Sequence, residues 1–88
     1  MRKMITRENA KRYYEETLVQ DLLELFDANI RYAIENGNPR VVVKIDSLSK
    51  DKEYALVEIF RRYGWYGHVT LQPDEENPGK TAVTFEIE

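Results

Sequence analysis

Residues 36–46, Asn36-Gly37-Asn38-Pro39-Arg40-Val41-Val42-Val43-Lys44-Ile45-Asp46, mark where a helix must give way to a sheet. Gly37 can adopt the left-handed conformation that follows a helix's last turn. Pro39, with its fixed φ and no N–H, forbids continuation. The run after it is β-branched and places Val41, Val43 and Ile45 on one face, so it reads as a half-buried strand.

Upstream of this stop, Leu18, Leu22, Leu25, Phe26, Ile30, Ala33 and Ile34 recur at three- and four-residue steps, and Ala10 and Tyr14 extend the stripe backwards. Thr6 is placed to cap the first turn. The pattern predicts one long helix from Thr6 to Gly37, a rod of roughly 45 Å at 1.5 Å per residue. Downstream, Ser49 caps a second helix with Asp51 and Glu53 near its positive end, a stripe of Leu56, Ile59, Phe60 and Tyr63, and Arg61 and Arg62 in its last turn. Gly64 ends it. From Trp65 to Gln72 the period becomes two, with Tyr66, His68, Thr70 and Gln72 opposite Trp65, Gly67, Val69 and Leu71. Pro73 to Lys80, with Asn77-Pro78-Gly79 at its centre, is a turn, and Thr81 to Glu88 alternates again with Val83, Phe85 and Ile87 inward.

The order αβαββ over a single domain, residues 1–88, predicts an α+β fold of two layers. Two helices cover one face of a three-stranded, mostly antiparallel sheet of spatial order 1-3-2. One dimension conflicts with this body, because strands of this length span roughly 20 to 27 Å. The first helix must therefore break near Tyr14 to Thr17, or rest its N-terminal half on something else. Tyr13, Tyr14 and Val19 are candidates to meet a second copy or another partner, and a homo-oligomer is expected because so short a chain buries little core alone.

With no cysteine and one histidine, the chain offers neither a disulfide framework nor a thiolate or multi-histidine metal site. The acidic loop Asp74-Glu75-Glu76-Asn77 lacks EF-hand spacing and reads as a solvated turn, so no metal and no cofactor is expected. A net charge of −3 argues against a strong hold on nucleic acid. No apolar run approaches a membrane span, and the basic start is followed by a charged helix, so a cytoplasmic protein is expected. Arg2, Lys3, Arg7, Lys11 and Arg12 alternate with Glu8, Glu15 and Glu16, which reads as a salt-bridged helix surface.

The densest chemistry lies in Arg61-Arg62-Tyr63-Gly64-Trp65-Tyr66-Gly67-His68-Val69. His68 with Glu86 as orienter is the one conceivable acid–base pair. No nucleophile stands near it in pattern, and an open sheet face excludes no water, so no catalytic residue is assigned and no enzyme is expected. Tyr66 and His68 with Lys44 suggest a base-stacking surface, opposed by Asp46, Glu86 and Glu88 on the same face.

The stops Ala33-Ile34-Glu35-Asn36-Gly37 and Tyr63-Gly64-Trp65, set in this αβαββ order, resemble a class of small phage-encoded accessory proteins. The resemblance covers nearly the whole chain. It implies a non-enzymatic viral protein that binds and inhibits a host or anti-phage defence protein. Two surfaces are candidates: the open sheet face (Lys44, Asp46, Tyr66, His68, Thr70, Thr84, Glu86) and the helix end at Tyr13 and Tyr14. An alternative is an oligomeric sponge for a small anionic nucleotide, held by Arg61, Arg62 and Tyr66. A weak single-stranded nucleic-acid binder is a further alternative.

Overall fold

A computed structural model describes residues 4–88; the basic Arg2 and Lys3 lie outside the described residues. The elements are α1 (Arg7–Leu18), α2 (Gln20–Glu35), β1 (Arg40–Asp46), α3 (Lys50–Arg62), β2 (Val69–Pro73) and β3 (Lys80–Glu86). The fold is α+β with three helices and a three-stranded sheet, ordered β1-β3-β2 and antiparallel throughout, as the strand pattern predicts.

The helix boundaries follow from local chemistry. Thr6 Oγ1 accepts the Asn9 N–H at 3.1 Å and Ser49 Oγ accepts the Lys52 N–H at 3.3 Å, each satisfying an orphan donor of a first turn. The two glycine stops are built alike. Asn38 N–H reaches back to the Ala33 carbonyl at 2.8 Å, and Trp65 N–H to the Phe60 carbonyl at 2.7 Å. Gly37 at φ +69° and Gly64 at φ +78° make that reach possible.

The long first helix is not one rod. It breaks at Val19, where φ −123° and ψ 24° leave helical geometry, giving a 12-residue α1 and a 16-residue α2. The break falls just past the segment where the length conflict requires one. Val19, expected outside, is buried in the core, because it heads α2's true inner stripe of Val19, Leu22, Phe26, Ile30 and Ala33. Leu25, Ile34 and Tyr14 are therefore exposed rather than inward. After the break α1 rests against α3, and the molecule measures 49 × 30 × 21 Å.

The core is aromatic at its centre. Phe26 from α2, Phe60 from α3 and Phe85 from β3 meet with ring centroids 5.1 to 6.0 Å apart, and Trp65 sets its ring at a steep angle to Phe85 at 5.3 Å. Each buried phenylalanine contributes about 1.5–3 kcal/mol by desolvation, and each ring pair adds about 0.5–1.5 kcal/mol. On the inner sheet face the register sets Phe85 between Val41 and Val69, and Val83 between Val43 and Leu71. On the outer face it sets Thr84 between Val42 and Thr70.

The second strand is shorter than its alternation predicts. Residues 65–68 form a tight turn, closed by His68 N–H donating to the Trp65 carbonyl at 2.8 Å, with Gly67 at φ +87°. Tyr66 and His68 are thus turn residues, not outward positions of a strand. The chain has to reverse between the end of α3 and the start of β2, and a positive φ is incompatible with an extended ladder. Among the described residues, no helix is long and apolar enough to cross a membrane.

Candidate functional site

The chemistry-bearing residues gather where α1 crosses the end of α3. Glu15, in the middle of a polar helix, is only 4% exposed. Its Oε1 accepts a close charge-assisted hydrogen bond from Arg62 Nη2, while its Oε2 is buried without a hydrogen-bond partner among the described residues. The expectation of a solvated glutamate on a salt-bridged helix surface is corrected for Glu15: it pairs across the fold, 47 residues away, rather than along its own helix. Next to this pair, Tyr63 Oη donates to Glu16 Oε1 at 3.0 Å. This bond and the carboxylate's charge push the Tyr63 hydroxyl above its ordinary range.

Tyr63, expected in the buried stripe of α3, is instead exposed and central to a surface strip. Arg12, Glu16, Arg62 and Tyr63 line one hollow of about 190 Å³. On one side, Glu16 is shared with a hollow of about 350 Å³ that also holds Tyr13, Gln20 and Leu23 in the angle of the break. On the other, Tyr63 is shared with a hollow of about 280 Å³ containing Trp65, His68 and Glu86. The Arg61 guanidinium lies over the Tyr66 ring at 4.9 Å, within cation–π range, alongside this strip.

The structure therefore brings Arg62, His68 and Glu86 together through Tyr63 and joins Tyr13 to them through Glu16, with the Arg61–Tyr66 pair beside them. Tyr14 is exposed on α1. Lys44 stands apart on the outer sheet face, where Asp74 at 3.4 Å and Glu76 at 3.9 Å hold it from the β2–β3 loop. Asp74's carboxyl is held below the usual range, chiefly by the Asn77 side-chain amide, with smaller help from the Glu76 N–H and Lys44. Asp46, beside Lys44 on that face, is likewise lowered by its hydrogen bond from Lys80 at 2.5 Å.

His68 and Glu86 line the same hollow, but their link is through the main chain: Glu86 N–H donates to the His68 carbonyl at 2.8 Å. No side-chain hydrogen bond joins them among the described residues. All six tyrosines are at least 60% exposed, whereas all three phenylalanines are buried. That split is legible only in part from sequence, since Tyr63 sits at a helical core spacing. A further hollow of about 510 Å³ lies on the other side of the break and mixes Asp21 and Asp46 with Lys52. Glu15, Glu16 and Tyr63 are the site residues that sequence reasoning missed, because no local pattern links α1 to the end of α3. No protein-family model, no curated protein and no solved structure matches this chain.

Proposed function

We propose that this is a non-enzymatic binding protein whose α1–α3 strip, centred on Tyr63 and flanked by Tyr13, Arg61 and Tyr66, docks on a partner protein. The observation that carries this reading is the state of the cations. Arg62 is committed to buried Glu15, and Arg61 to the face of Tyr66. An anionic nucleotide would have to compete for both, whereas a protein surface is well met by exposed tyrosine and arginine held in place. The carboxylates of the 510 Å³ hollow likewise disfavour an anion there. With the resemblance to phage accessory proteins, the partner is a host or anti-phage defence protein, and binding inhibits it.

The test places a photo-crosslinking amino acid at position 13, 66 or 54, the last at the opposite end of α3, in the full chain exposed to bacterial lysate. The expected result is one shared protein adduct from positions 13 and 66 and none from 54. Different adducts at 13 and 66, or equal labelling from 54, overturn the strip as the docking surface. A nucleotide that raises the melting temperature in step with its concentration, and fails to do so in Arg61→Ala, would instead establish the sponge reading.

A further inference from the structure

We propose that β1 is the seam of a two-fold dimer, in which a second copy of this chain pairs its own β1 antiparallel to the first, centred on Val43. The sheet order leaves β1 at an edge, with no further strand paired to its outer side among the described residues. This edge is seven residues long, has no proline within it, and exposes half of Val42. Such an edge invites another strand unless it is blocked. Its one lysine, Lys44, is drawn toward the β2–β3 loop by Asp74 and Glu76.

The phase of the hydrogen bonds decides which groups are free. Ile87 N–H donates to the Pro39 carbonyl at 2.8 Å and Ser47 N–H to the Gly79 carbonyl at 2.9 Å, at the two ends of the β1–β3 ladder. Bonded and non-bonded pairs alternate in an antiparallel ladder, so the odd-numbered residues of β1 face β3. The N–H and C=O groups of Arg40, Val42, Lys44 and Asp46 therefore point to the free edge. A partner strand must pair even-numbered residues with even-numbered residues.

Among registers that satisfy this, the one centred on Val43 overlaps all seven residues. It sets Arg40 against the second copy's Asp46, Val41 against Ile45, and Val42 against Lys44. On the outer face the intrachain register already places Glu86 beside Arg40 and Asp46 beside Lys80. Joined through the seam, these make one row of alternating sign: Glu86, Arg40, then Asp46 and Lys80 of the second copy. On the inner face, Val83 and Val43 of both copies form one apolar row that continues the core. Moving the centre to Val42 would oppose Arg40 to Lys44, and moving it to Lys44 would oppose two lysines. The strand is thus self-complementary in one register. The helix in contact with β1 is α2, which leaves Leu25 and Tyr32 exposed two turns apart, as apolar surface for the second copy's α2. This dimer leaves the α1–α3 strip out of the seam and does not depend on its reading.

The test is the mass of the full chain by sedimentation equilibrium across protein concentration. The expected result is a species of twice 10.4 kDa for the wild type. Val42→Pro removes a donor only from the free edge, so it should give a monomer with unchanged circular dichroism. Arg40→Asp and Asp46→Arg should each weaken self-association by roughly tenfold, since each sets like charges opposite one another twice. Mixing those two variants restores both opposite-charge pairs and should restore dimers, a result that does not depend on how well Val42→Pro folds. A wild type that stays monomeric at the highest concentration overturns the proposal and leaves the edge to a strand of another protein. Variants that dimerise as well as the wild type, or a mixture that fails to recover, overturn the β1 seam.

Discussion

Replacing Arg62 with methionine tests the contact that holds α1 in place. The Glu15 side chain is 6% exposed and, among the described residues, its Oε2 has no hydrogen-bond partner and Arg62 is its one salt-bridge partner. Removing one member of a buried ion pair costs about 3–5 kcal/mol, because a desolvated charge is left behind. The Arg62 side chain is 26% exposed, so water can reach the vacated side and the cost falls somewhat below that range. The expected loss is about 2–3 kcal/mol, or roughly 10–20 °C in melting temperature for a chain of this size. Glu15→Leu combined with Arg62→Met should return stability to within about 1 kcal/mol of the wild type, because no stranded charge remains. The assay is urea unfolding at fixed protein concentration followed by fluorescence of Trp65, whose ring packs on Phe85. Amide exchange in α1 reports the alternative response, in which α1 detaches and lets Glu15 hydrate. An Arg62→Met protein with a loss under about 0.5 kcal/mol and undiminished exchange protection in α1 would refute the reasoning, since that is how an exposed pair behaves.

Phe85→Ala empties the centre of the aromatic cluster and should cost about 3–5 kcal/mol in the same urea assay. Gly64→Ala should cost about 1–2 kcal/mol from the positive φ alone, since an added Cβ meets nothing within 4 Å. The hydroxyl of Tyr63 titrates higher in the folded state, so its contribution is full below the unfolded value near 10 and is lost as pH rises through the folded one. Glu16→Gln should lower that titration midpoint, read by ultraviolet absorbance of the phenolate. Asp74 has the opposite sign: its contribution is full above the ordinary value of about 3.9 and is lost as pH falls through the lowered one. Asp74→Asn should therefore flatten the acid limb of the stability curve.

The features that a few neighbouring residues decide were legible in the chain. Thr6 and Ser49 cap their helices, Gly37 and Gly64 close theirs, and Val41, Val43 and Ile45 alternate with outward residues. Strand order 1-3-2 followed from the same facts, because a short loop fixes one pairing and each strand has a single apolar face. The caps, stops and alternation rest on interactions spanning at most a few residues, so the sequence carries them in readable form.

What tertiary structure alone decided has a different physical origin. Nothing local marks Val19 as a break, since valine is tolerated in helices; the chain turns there because Val19 enters the core and α1 is drawn onto α3 by Glu15 and Glu16. Period-two alternation ran on through residues 65–68 because Trp65 and Val69 both pack on the core, yet the backbone between them is a turn. The candidate site depends on partners 47 positions apart, Glu15 with Arg62 and Glu16 with Tyr63. Such contacts are chosen by which surfaces the whole fold leaves facing one another, and burial energy has no signature in the spacing of the residues that share it.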